Sequence, residues 1–192
     1  MKQFALLFMS ACAVLATAQT KPSPARMRII EEAAYNRLTD QNDAWFHDGD
    51  YPRLVENLRY MNLIWPHDYE TATNLGWMLG NIEHYDEELA VYKTYGRNNR
   101  QDPDCDLPEA NLYSRNHQWA KIPAVLERDI PRRPHPNAYR ILAHAYEHLN
   151  RLADASRIWK KYITDYPGDS AAVANLARVT RKLKANQVTT KG

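Results

Sequence analysis

Residues 144–148 read His-Ala-Tyr-Glu-His. Two imidazoles four positions apart share one face of a helix, with a carboxylate just before the second. Such a set suits zinc: ring nitrogens ligate the metal, and the glutamate moves a proton on metal-bound water. A hydrolase of this kind needs a third protein ligand, and downstream of His148 the only acids are Asp154, Asp165 and Asp169. A different chemistry is offered by Arg115, Arg140 and Arg178, whose planar guanidinium groups can each hold a carboxylate through two parallel hydrogen bonds. Other devices leave no trace. There is no glycine-rich phosphate loop, and the serines, histidines and aspartates are too scattered to argue for a triad. Cys105 is alone after the first 18 residues, so it has neither a disulfide partner nor a cysteine-rich metal set there. No cofactor is expected.

The rest of the chain must position these groups, and its composition favours helices. Apolar residues make up 44% and charged residues 25% of 192, a globular balance that excludes a disordered chain. Twelve tyrosines and five tryptophans against three phenylalanines and six glycines suit helix pairs packed through large rings. Period-two alternation is nearly absent, which argues against strands. Charge is uneven: residues 19–100 carry nine Lys/Arg against thirteen Asp/Glu, and residues 101–192 carry fifteen against ten. Such asymmetry bears on partners rather than on fold.

Residues 1–18 have the pattern of a signal peptide: Lys2, an apolar run from Phe4 to Leu15, then Ala16-Thr17-Ala18. Cleavage near Ala18 predicts a periplasmic or secreted chain. The run is too short for an ordinary transmembrane helix, and no membrane span is expected. Lipid anchoring at Cys12, within Met9-Ser10-Ala11-Cys12, is the lesser alternative, because Ala13 to Ala16 continue apolar. Residues 19–34 read as a linker and helix start, in which Met27, Ile30, Ala34 and Leu38 recur at helical spacing.

From Tyr35 onward, features recur about every 34 residues. In 35–68, Gly49-Asp50-Tyr51 makes a turn, Leu54 and Leu58 follow, and Trp65-Pro66 closes the unit. In 69–102, Leu75-Gly76 is followed by Tyr85 and Tyr92, with Glu88 where a small residue is usual. In 103–135, Ala110, Tyr113, Trp119, Ile122 and Leu126 hold the same phase, although Pro131, Pro134 and Pro136 predict an extended exit. In 136–169, Leu142-Ala143, Tyr146, Leu152, Ala155, Trp159, Tyr162 and Pro167 fit throughout. A capping helix over 170–185 would use Val173, Leu176, Ala177 and Leu183 as its apolar side, and 186–192 reads as a disordered tail. Trp65, Tyr85, Trp119 and Trp159 all fall at packing positions. In these positions the chain resembles tetratricopeptide-repeat proteins over roughly 35–185. The resemblance implies an all-α fold: an α-solenoid of about four helix-turn-helix repeats with a C-terminal capping helix.

It also implies a non-enzymatic scaffold that binds a protein or peptide in a concave groove lined by the first helix of each repeat. The groove positions carry over to Thr39, Asp43, Phe46 and His47; to Thr73, Trp77 and Asn81; to Asn111, Ser114 and Arg115; and to Arg140, His144 and His148. The capping helix would add Arg178 and Lys182. Phe46 and Trp77 would anchor apolar groups, and the arginines suggest a carboxylate-bearing partner. The family's carboxylate clamp is not reproduced, since Leu107 and Pro108 stand where polar residues would be needed. In this frame the H-x-x-E-H segment, which has the order of the inverzincin zinc signature, lies inside a regular first helix of a repeat. Zinc hydrolysis through His144, Glu147 and His148 is therefore the alternative, beside an assembly module of an envelope complex. Nucleic acid is not expected as a partner: the basic end from Arg178 to Lys191 has no aromatic to stack on a base.

Overall fold

The computed structural model describes residues 22–189. The expected leader, with Lys2, Cys12 and Ala18, lies outside the described residues, as do 190–192 of the expected tail. Nine α-helices and two 3₁₀ turns form among the described residues, with no strand. No described helix is long and apolar enough to cross a membrane. The chain divides into two units, residues 1–37 and 38–192. The first holds the beginning of helix α1 (Pro24–Asp48), where Ser23 Oγ accepts from the Arg26 amide at 3.3 Å. Pro24 suits this first turn, because its missing N–H would have had no partner there. Met27 and Ile30 of the expected apolar stripe are exposed.

The second unit contains the rest of α1, then α2 (Tyr51–Ile64), α3 (Tyr69–Asn81), α4 (Tyr85–Asn98), α5 (Leu107–Arg115), α6 (Ile122–Leu126), α7 (Pro136–His148), α8 (Leu152–Asp165) and α9 (Ser170–Thr189). From α2 onward each helix packs on the next, and α5 also packs on α7. That skip is the contact between first helices of successive repeats. The repeat is written in the backbone as well. Gly49, Glu83, His117 and Asn150, spaced 34, 34 and 33 residues apart, all take positive φ at the turn inside each helix pair. Only glycine takes that conformation freely, so in the other three copies packing holds the turn against a local preference.

Aspartates begin several helices. Asp68 accepts from Thr71 N at 2.7 Å, and Asp169 accepts from Ala171 N and Ala172 N at 2.9 and 3.1 Å. The main core runs through α5 to α9, around Tyr139, Leu142, Tyr146, Ile158, Trp159 and Tyr162. A smaller core joins α2 and α3 through Leu54, Leu58, Leu75, Met78 and Leu79. Gly76 lets α4 approach α3, since a Cβ there would lie 2.5 Å from Tyr92 Cζ, within the buried ring. Gly76→Ala is expected to lower stability by about 1–3 kcal/mol, the usual cost of overpacking, measurable as a fall in the urea midpoint.

Several expectations need correction. The exit of the third repeat is only partly extended: Ile130–Arg132 forms a 3₁₀ turn, His135 is extended at φ −51° and ψ 143°, and Pro136 opens α7. Its second helix is short, a 3₁₀ turn at Trp119–Lys121 leading into α6. The capping helix continues past 185 to Thr189. It packs through Ala172, Leu176, Val179 and Leu183, leaving Val173 and Ala177 outward. Of the four aromatics assigned to packing, Trp159 is buried and Trp65 and Trp119 are half-buried. Tyr85 is exposed, at the first residue of α4 ahead of its packed turns.

Candidate ligand-binding cleft

Residues at helical spacing on α3 and α5 face each other across a cavity of about 310 Å³. Tyr69, Thr73 and Trp77 come from α3; Pro108, Asn111, Leu112 and Arg115 come from α5; Tyr92 of α4 lies behind them. Spacings of three and four residues put each set on one helix face. Thr73 donates to its own helix, to Tyr69 O at 2.9 Å and Glu70 O at 3.0 Å. Trp77 is 46% exposed, its ring 6.0 Å from that of Phe46, and Phe46 in turn lies 6.1 Å from Tyr51 and from His47. A row of exposed aromatics thus leads into the cavity.

Arg115 is set by Glu88, the residue that stands where a small one is usual. Glu88 is wholly buried, and its Oε1 accepts from Arg115 Nη2 at 2.5 Å across the boundary between repeats. Gly80 makes the space, because a Cβ there would lie 2.5 Å from Glu88 Oε2. The signal was present. Gly76 and Gly80 stand four apart on α3, as Glu88 and Tyr92 do on α4, so two bare spots face two large side chains. Burial first, then the Glu88 charge, pushes the Tyr92 hydroxyl above the ordinary tyrosine range, so it stays protonated. Tyr69 is pushed up to about 12 by burial and by Asp104 and Asp102.

The structure brings Thr73, Trp77, Asn111 and Arg115 together, with Phe46 at the edge. Asp43, His47 and Asn81 are exposed outside the cavity lining, while Thr39 and Ser114 are half-buried. The other arginines are committed internally. Arg140 donates to Asn137 Oδ1, Tyr162 Oη and Asp169 Oδ2 at 3.0, 2.8 and 2.7 Å. Arg178 holds both oxygens of Glu147 and also reaches Asn175 Oδ1 at 3.0 Å, with Lys182 3.5 Å from the same glutamate. The expectation that Arg140 and Arg178 meet a partner's carboxylate thus yields to carboxylates of this chain.

The zinc alternative loses its geometry in the same way. His148 stacks on Trp119 at 4.0 Å and 3°, while His144 meets the Trp159 ring edge-on at 5.3 Å. Burial pushes the Glu147 carboxyl up, but hydrogen bonding and charge from Arg178 outweigh it and leave it below the ordinary range. Among the described residues, one other trio gathers donor atoms within 4.8 Å: Cys105, Asp106 and Asp129. Arg100 and Arg128 already hydrogen-bond Asp106, so a cation would meet two guanidinium groups there.

A stack of helix pairs with a ligand-sized cleft on the side of the first helices is the architecture of a helical-repeat solenoid. Residues 136–179 match the tetratricopeptide repeat family, and the helix pairs before them continue the same fold. Solved structures of the same fold include a crystal structure of MamA protein, at 16% identity and TM-score 0.61, covering 81% of this chain and 86% of that one. Another is a MamA RS-1 ArsTM double mutant, at 15% identity and TM-score 0.60, covering 81% of this chain and 88% of that one. No curated protein matches the chain.

Proposed function

We propose that this chain is an exported, non-enzymatic scaffold that holds an extended segment of a protein partner along the first helices of its repeats, anchored in the cleft between α3 and α5. One observation carries this reading: the cavity gathers Thr73, Trp77, Asn111 and Arg115, four residues that the tetratricopeptide resemblance assigns to the groove. The occupant best suited is an acidic side chain or C-terminal carboxylate beside an apolar group. Arg115 gives one N–H to Glu88 and keeps others for a ligand, Asn111 adds a donor, and Trp77, Pro108 and Leu112 supply the apolar wall. Export rests on the leader pattern of residues 1–18 and is read from the mass of the chain recovered from the producing cell.

The cleft is tested by selecting random peptides on the purified chain. Enriched peptides are expected to carry Asp, Glu or a free C-terminus next to a large apolar residue. Trp77→Ala with Asn111→Ala should weaken them about tenfold or more with helicity unchanged. Equal binding by the double variant would remove the cleft, and no enrichment at all would remove the peptide reading.

A further inference from the structure

Behind the cleft, at the junction of the second and third repeats, two buried carboxylic acids lie together. Asp106 precedes the first residue of α5, and Asp129 precedes the 3₁₀ turn after α6; their exposures are 1% and 2%. Asp106 stands at the N-cap of α5, yet its side chain caps nothing. Its Oδ2 accepts from Arg100 Nη1 at 2.9 Å, from Arg128 Nε at 2.8 Å and from Arg128 Nη2. Its Oδ1 accepts only from Arg100, at 3.1 Å, and lies beside Gly96, whose bare Cα admits it. Asp129 is served far less well. Its Oδ1 is 3.5 Å from Arg132 Nη1 and 3.9 Å from Arg128 Nε, and its buried Oδ2 has no partner. Cys105, with its thiol pushed up by burial, completes the cluster.

A buried, unpartnered carboxylate oxygen is costly, and so are two like charges in one site. A carboxylate oxygen of Asp106 lies within 4.8 Å of one of Asp129, so a proton carried by Asp129 lowers both costs. We infer that Asp129 and Asp106 share one proton and form a pH-sensitive latch across the third repeat, beside its junction with the second. The groups facing Asp129 are Asp106 and Cys105 from the approach to α5, Arg100 from the end of α4, and Arg128 and Arg132 from its own segment. Burial and the Asp106 charge raise Asp129 to about 7, against the pull of Arg128 and Arg132. Because this value lies above the unfolded aspartate's, the latch contributes fully below about pH 4 and is lost as pH rises through about 7. The wall of the cleft starts at Pro108, two residues after Asp106, so the latch also holds one side of the ligand site.

The test compares urea midpoints of the full chain and of Asp129→Asn from about pH 4 to about pH 8.5. Asparagine imitates the protonated acid, since it is neutral and its amide can donate toward the Asp106 carboxylate. The wild type is expected to lose stability across the interval relative to the variant, with the two curves meeting at the acid end and the variant higher at the alkaline end. Histidine titrations are common to both chains and cancel in the difference. Parallel curves would overturn the latch. If the variant does not fold, the wild-type chain decides through ¹³C carboxyl titration: one aspartate with a midpoint near 7 is expected, and titration of every aspartate below about pH 5 would overturn it.

Discussion

Arg115→Ala is expected to destabilise the fold by about 3 kcal/mol, out of proportion for a side chain that is half in solvent. The reason lies at its other end. Glu88 has no exposed surface, and Arg115 Nη2 is the donor to its Oε1. Removing the guanidinium leaves a buried charge with nothing to balance it, the situation in which one half of an ion pair costs most. Glu88→Gln in the same chain should recover most of the loss, because a buried amide is cheaper than a buried carboxylate. A double-mutant cycle on urea midpoints checks this. Additive losses would mean that the pair is not coupled. The same substitution should also abolish carboxylate selectivity in the cleft, so Arg115→Ala is a test of the pair, and Trp77 with Asn111 remain the cleaner test of binding.

Trp159→Ala should cost about 3–5 kcal/mol, as large-to-small changes of a buried aromatic do. Trp159 is 1% exposed at the centre of the main core, with His144 edge-on and Tyr162 6.1 Å away. In a stack each helix pair is supported by its neighbours only, so the damage should stay local. Amide exchange is expected to speed up across α7, α8 and α9 while α2 and α3, built on a separate core, keep their protection. Uniform loss of protection along the chain would show instead that the stack unfolds as one unit. Trp159→Phe should fall between, since a smaller ring still fills most of the site.

Amino-acid order alone determined the architecture. Helical spacing in each segment, the aspartates that open α3 and α9, and a 34-residue phase marked by Tyr92, Trp159 and their neighbours are local or periodic facts, and local facts survive without coordinates. The resemblance placed Thr73, Trp77, Asn111 and Arg115 on the groove side, and their spacing agrees, because side-chain direction on a helix follows from residue number. Only the tertiary structure decided what the charged residues do. Arg140, Arg178 and Glu147 find partners 29 to 31 residues away, Asp106 meets Arg128 22 residues on, and Glu88 is buried because Gly80 on another helix makes room. A long side chain reaches several ångströms, and what it meets depends on how closely two helices approach. So the resemblance could name residues for the ligand side, but only packing showed that Arg115 lines a cleft while Arg140 and Arg178 bond acids of this chain.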